Sequence, residues 1–330
     1  MKVLVIGGAG YIGSFTVRAL REAGYEIVIF DDLSQGHKEA VKGFQLVKGS
    51  LVEDRDLLAD LLQKEKFAAV VHFAAFIQMG ESYRLPEKYF RNNVVGSLNL
   101  LEATIKAGIE KFVFSSSAGV YGDPQRVPIK EEDRKLPTNP YGETKLIIEK
   151  MLFWFGKAYG LRSISLRYFN AAGAALDGSI GEDHPDESHL IPLAIKAAQE
   201  KRQFSIFGND YPTADGTCVR DYIHVLDLAQ AHLLALKALE EDSQTTAYNV
   251  GIGKGYSNLE VVEMIKRIGE VDLPIKFEPR RLGDAAVLYA SIEKISKELG
   301  FHPKYSDLET IIKTVWNWHK NHPNGFANKK

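Results

Sequence analysis

An apolar run that breaks into glycines opens the chain and limits what it can become. Lys2-Val3-Leu4-Val5-Ile6 passes directly into Gly7-Gly8-Ala9-Gly10-Tyr11-Ile12-Gly13. The run has the unbroken apolar character of a parallel strand covered on both faces. Gly8, Gly10 and Gly13 keep the G-x-G-x-x-G spacing between that strand and a helix expected over residues 14–23. The early glycines permit a tight turn and close approach to a pyrophosphate, and the last lets helix pack on strand. The helix start also offers unpaired N–H groups and a positive dipole end to phosphates. Asp31 stands just past the next strand, 24 residues beyond Gly7. A carboxylate there accepts from both ribose hydroxyls of NAD and repels the 2′-phosphate of NADP. Asp32 adds negative charge, and no arginine follows until Arg55.

The rhythm set at the start continues. Strands are expected at residues 26–30, 44–49, 68–75, 111–117 and 163–170, with helices at 54–64, 86–107 and 141–159. Strand–helix alternation over this length predicts an α/β fold: a Rossmann-type, doubly wound parallel sheet. After Asn170 the pattern changes. Residues 171–188 are rich in Gly, Asp and Pro and read as a long loop. Shorter mixed elements follow: helices at 190–200 and 227–239, strands at 205–208 and 219–225. The expected division is a nucleotide-binding domain over 1–171 and a smaller mixed α/β substrate domain over 172–330. The polar tail from Asn321 is expected to fray.

Composition narrows the setting. With 330 residues and a formal charge of −2, there is no field-level case for nucleic acid or an anionic membrane. No apolar run approaches the roughly 18 residues that span a bilayer. The single cysteine, Cys218, has no intrachain partner, which fits a reducing, cytoplasmic location. No residue pattern assigns a metal.

A second constellation carries chemistry. Ser115-Ser116-Ser117 is followed by Tyr141-Gly142-Glu143-Thr144-Lys145. Tyr141 and Lys145, four apart on an expected helix, share one face. Pro140 suits the first turn, with Asn139 or Thr138 as cap. A free phenol, with a pKa of about 10, is a poor base at neutral pH. A lysine ammonium one turn away and a nicotinamide cation would favour phenolate. Tyr141 is then a base for a sugar or alcohol hydroxyl, and Ser117 can pass the proton to it.

These blocks resemble the extended short-chain dehydrogenase/reductase family. The resemblance is also carried by His72-Phe73-Ala74-Ala75, Gly80-Glu81-Ser82, Asn92-Asn93-Val94, Leu166-Arg167-Tyr168-Phe169-Asn170 and Gly181-Glu182-Asp183. Residues 206–210 and 215–225 and Arg280-Arg281 complete it. The C-terminal blocks are the more specific and point to sugar-nucleotide epimerases. The resemblance implies tightly bound NAD and inversion of a UDP-hexose at C4 through a 4-keto sugar, interconverting UDP-galactose and UDP-glucose. It also implies a homodimer, with the helices expected at 86–107 and 141–159 as interface candidates.

Residue roles follow from the same resemblance. Tyr141, Lys145 and Ser117 are the catalytic set. Cofactor contacts fall to Gly7, Gly10, Tyr11, Ile12 and Gly13, and to Asp31, Asp32, Ser50 and Leu51. Phe73, Ala74, Ala75, Asn92, Ser115 and Tyr168 join Tyr141 and Lys145 in the same role. For the substrate, Arg220 and Arg281 can neutralise the pyrophosphate with forked donors, and Asp284 can take ribose hydroxyls. Asn170 resembles a diphosphate-side amide, and Phe207 a uracil-stacking aromatic or a core residue. Either Arg280 or Arg281 can instead be a surface pair. Ser117, Tyr141, His189, Leu190, Tyr222 and Leu288 complete the substrate set. Leu288, or Tyr289 if the count slips by one, faces the position where N-acetyl sugars carry their acetamide.

Four residues depart from the family pattern: Phe15 for histidine, Ser50 for aspartate, Ile77 for lysine and His189 for asparagine. His189 can donate to substrate or be structural. Ala118-Gly119 stand where 4,6-dehydratases place an acid–base pair, so elimination of water lacks its catalyst. Epimerisation of a UDP-N-acetylhexosamine or a UDP-uronate, or a non-catalytic NAD-binding role, remain the alternatives.

Overall fold

A computed structural model describes residues 1–281 and 284–326. Six strands come from the first half of the chain: β1 (Lys2–Ile6), β2 (Glu26–Asp31), β3 (Gln45–Lys48), β4 (Ala69–His72), β5 (Lys111–Ser115) and β6 (Arg162–Tyr168). They form a parallel sheet in the order β6-β5-β4-β1-β2-β3. Chain direction across the sheet reverses between β1 and β4. In open α/β sheets that reversal opens a crevice at the strands' C-terminal ends.

The apolar runs are strands because both faces are covered. Leu4, Val5 and Ile6 have no exposed surface. On one face, Val3, Val5 and Ile29 join a core with Val17 and Leu20 of helix Tyr11–Glu22 and with Leu228 and Leu236 of helix Val225–Glu240. On the other, Leu4, Ile6 and Phe114 meet Leu58, Leu100 and Leu152 from helices Arg55–Lys64, Gly96–Lys106 and Pro140–Tyr159. Each such side chain contributes about 1.5–3 kcal/mol on burial.

A seventh strand, Thr246–Val250, pairs in parallel with β6 at the sheet's edge. The expected boundary at residue 171 is therefore not a single cut: the chain leaves the sheet, then returns. Residues 170–224 and 251–326 contribute most of the second layer. Its core joins helices Leu190–Gln199, Asn258–Gly269 and Leu308–Asn321 through Ile195, Val262 and Ile312. Two-stranded pairings stand beside it, Ile275–Glu278 on Phe204–Phe207 and Tyr222–His224 on Asn170–Ala172.

Two further expectations are corrected. The helix expected over 86–107 is Pro86–Tyr89, a π-helical stretch Phe90–Val95, then Gly96–Lys106. The tail does not fray through Phe326. The Phe326 ring packs on Trp318 and His37, and its N–H donates to Asp183 at 2.7 Å. Residues 327–330 lie outside the described residues.

Candidate active site

One cleft runs along the C-terminal edge of the sheet, and both sequence constellations open into it. At its floor the glycine turn is fixed by space. Gly7 takes φ +75°, and a Cβ there would lie 2.5 Å from the Ala74 nitrogen; one on Gly13 would lie 2.3 Å from the Gly7 carbonyl oxygen. Gly8 faces the core, where a Cβ would meet Ile29 at 2.9 Å. A Cβ on Gly10 has only one close neighbour, at 3.4 Å, and Gly10 lines the cleft. A side chain there would take ligand space. Helix Tyr11–Glu22 starts at Gly10 with no capping side chain and no acid in its first turn. Its N–H groups are thus left for an anion. Asp31 lies at the cleft wall, its carboxylate accepting from Ala9 N and Leu33 N, each at 2.8 Å. Burial pushes its pKa up, and those two N–H donors work against the shift. The donor set fits NAD.

Helix Pro140–Tyr159 carries two of the three expected catalytic residues. Asn139, not Thr138, caps it, accepting from Gly142 N at 2.8 Å. Tyr141 sits in the first turn and Lys145 one turn on, both at the cleft. Lys145 is 2% exposed and donates to the Ser115 carbonyl at 2.7 Å. Behind it, Glu149 accepts from Ser116 at 2.6 Å and pairs with buried Arg167, also at 2.6 Å. This pair ties the helix to β5 and β6. Breaking one side of such a buried pair costs about 3–5 kcal/mol.

The electrostatics correct one expectation. Burial draws the Lys145 pKa down to about 7, with Glu149 opposing. Burial also raises the Tyr141 phenol, with the Ser117 hydroxyl acting the other way. Lys145 Nζ stands 5.9 Å from the Tyr141 ring centre. The protein's own groups therefore keep Tyr141 protonated, and Lys145 does not by itself make it a phenolate.

Of the expected cofactor residues, all but Ser50 line the cleft. Ser50 is spent on its loop: its hydroxyl accepts from Val52 N and Glu53 N, at 3.2 and 3.3 Å. Among expected substrate residues, Ser117, Tyr141, Asn170, His189, Arg220, Asp284 and Leu288 line the same cleft. Arg220 is held by the Ala285 carbonyl at 2.8 Å and by Asp284 at 3.5 Å. Asn170 donates its amide to the Asp221 carbonyl at 3.1 Å.

Leu190, Phe207, Tyr222 and Arg281 do not line it. Tyr222 and Leu190 pack with the core of the second layer. Phe207 stacks under Arg281 at 3.9 Å, beside the cleft. Arg280 is the surface pair, 2.7 Å from Asp210.

Several lining residues carry no sequence signal. Gln78 and Lys88 are among them. Buried Asn93 holds the π-helical stretch to the strand exit, accepting from Phe76 N at 2.9 Å and donating to Thr144 at 3.1 Å. Glu149 had a usable signal, four residues past Lys145 on the same helix.

Relatives agree with this geometry. The NAD dependent epimerase/dehydratase family matches residues 3–251. A UDP-glucose 4-epimerase of Lacticaseibacillus casei is 48% identical over 330 residues, all of both chains. A crystal structure of a UDP-glucose 4-epimerase superposes with TM-score 0.96 at 45% identity, over 99% of this chain and 100% of the other. One from Brucella ovis in complex with NAD gives 0.92 at 47%, over 95% and 96%.

Proposed function

We propose that this chain, which belongs to the NAD-dependent epimerase/dehydratase family, interconverts UDP-galactose and UDP-glucose by inverting the hexose at C4. The observation that carries this is the meeting of Ser117, Tyr141 and Lys145 with the glycine turn and Asp31 in one cleft. Gly7, Gly10 and the first turn at Tyr11 would hold the pyrophosphate of NAD, and Asp31 its adenosine ribose. When bound, NAD takes the C4 hydride from one face of the hexose and gives it back to the other.

The chain's own residues manage the proton and the grip. Ser117 would pass the proton of the 4-hydroxyl to Tyr141, which would hold it while C4 is a ketone. Since the surroundings raise the Tyr141 pKa, the cation needed to favour phenolate comes with oxidised nicotinamide, which ties proton transfer to the cofactor's charge. Arg220 and Asn170 hold the diphosphate side, and few polar groups hold the hexose, which leaves it free to turn over. Ala118 and Gly119, beside Ser117, offer no acid or base, which sets this site apart from dehydratases.

Leu288 packs near Val120, Ile129 and Phe169 and lines the cleft, whereas Tyr289 does not. A leucine wall supports a preference for plain hexoses, with slower turnover of N-acetylhexosamines. A homodimer and a cytoplasmic setting belong to the same reading. Phe153, Trp154, Val95 and Leu98 leave apolar surface exposed on the two neighbouring helical stretches. The test of the function is incubation of purified protein with UDP-galactose and no added NAD. UDP-glucose should form catalytically, and denaturation should release NAD rather than NADP. A protein that needs stoichiometric free NAD contradicts the proposal.

A further inference from the structure

One loop at the mouth of the cleft carries chemistry that epimerisation does not use. Its sequence is Glu182-Asp183-His184-Pro185-Asp186-Glu187-Ser188-His189. Glu182, His184, Glu187 and His189 fold back so that one ligand atom from each lies within 4.8 Å of the others. His184 Nδ1 is 3.4 Å from Glu182 Oε1 and 3.3 Å from Glu187 Oε2. His189 Nδ1 is 3.7 Å from Glu187 Oε1 and 2.5 Å from Glu182 Oε1. A tetrahedral zinc ion, with nitrogen and oxygen ligands at about 2.0–2.2 Å, needs ligand atoms about 3.3–3.6 Å apart. Three of these contacts stand at or near that spacing; Glu187 meets the two histidines through different oxygens, so one of its two contacts is a ligand-to-ligand edge. The fourth is a hydrogen-bond contact that opens by about an ångström to match.

We propose that Glu182, His184, Glu187 and His189 form a binding site for a divalent transition-metal ion of zinc's class. The donor set chooses the class. Two imidazoles suit zinc, cobalt or nickel, whereas magnesium and calcium take oxygen ligands. Two carboxylates with two neutral imidazoles carry a charge that a dication balances. The loop that carries the ligands is anchored to helix Leu308–Asn321 and the segment after it. Trp318 donates to the Glu182 carbonyl at 3.1 Å, and the Asp183 carboxylate accepts from Phe326 N at 2.7 Å. Glu182, 3% exposed, anchors the group at its buried end, and His189, 44% exposed, leaves it open to an entering ion.

His184 and His189 line the substrate cleft. An ion here takes the Nδ1 of His189 and sets a fixed positive charge in the wall of the cleft that would hold the diphosphate. Given the proposed reaction, the ion changes KM for the UDP-hexose more than kcat. The binding itself does not depend on that reading.

The test uses tag-free protein with its cofactor in place, treated with chelator and desalted. It is titrated with ZnCl2 by calorimetry and with CoCl2 by visible absorption. One zinc should bind per chain, excess MgCl2 should not displace it, and Co2+ should give the intense absorption of tetrahedral coordination. His184→Asn and Glu187→Gln should each weaken zinc by about tenfold or more. His302→Asn, at an exposed histidine outside the loop, should leave it unchanged. If the two loop variants fold poorly, the wild-type Co2+ spectrum still decides. No stoichiometric zinc, an octahedral Co2+ spectrum, or zinc binding that survives both loop substitutions overturns the proposal and leaves a cluster of histidine–carboxylate ion pairs.

Discussion

Tyr141 sits where burial makes it a weaker acid than a free phenol, with Ser117 as the one group pulling the other way. Removing its oxygen removes the proton acceptor while leaving the ring's packing. Tyr141→Phe is expected to lower kcat by at least about a hundredfold. Ser117→Ala should cost less if a water relays the proton. Near-normal turnover in Tyr141→Phe refutes the assignment. Lys145 gives a separate test through pH. Its folded pKa is about 7, against about 10.4 for an unfolded lysine. The unfolded chain therefore binds more protons between these values, and this group's contribution to stability rises with pH across that window. Lys145→Met removes the buried charge. In thermal melts the variant should gain most over wild type below about pH 7 and lose that advantage toward about pH 10. The opposite trend contradicts the burial account.

Elements aim these residues, and their legibility in the sequence was uneven for physical reasons. Strands β1, β2, β4 and β5 were readable because a strand covered on both faces is largely apolar. The break at Phe90–Val95 was not. A single π-helical turn is a switch in backbone hydrogen bonding from i→i+4 to i→i+5, which no residue type announces. Tyr222 and Phe207 were legible as aromatic residues near the right motifs, but which face of a short strand points to ligand depends on its neighbours. Strand Val287–Leu288 pairs with Val219–Arg220, which brings Leu288 to the cleft wall without any local signal. Substituting Leu288 should tilt specificity. Leu288→Ala should shift relative kcat/KM toward UDP-N-acetylhexosamines, and Leu288→Tyr away from them. Two variants with unchanged ratios remove Leu288 as the wall.

Over the whole molecule, the chain builds a sheet, leaves it for the substrate layer, and returns to add Thr246–Val250 before closing over the 182–189 loop with Phe326. The return was hidden because strand order across a sheet is set by long-range pairing, not by local composition. The exposed outer surface of helix Pro140–Tyr159 has a consequence at this scale. Trp154 is 66% exposed, so Trp154→Glu places a charge in any apolar contact between copies. Light scattering should find a dimer for wild type and a monomer for the variant, and two dimers would place the interface elsewhere. The central claim is that one site removes a hydride from C4 and restores it to the same sugar. UDP-galactose deuterated at C4, mixed with unlabelled UDP-galactose, tests it directly. The account predicts UDP-glucose with deuterium retained at C4 of the molecules that carried it, and none in water or in the unlabelled pool. Loss of deuterium to solvent, or reduced cofactor accumulating in proportion to product, would contradict it.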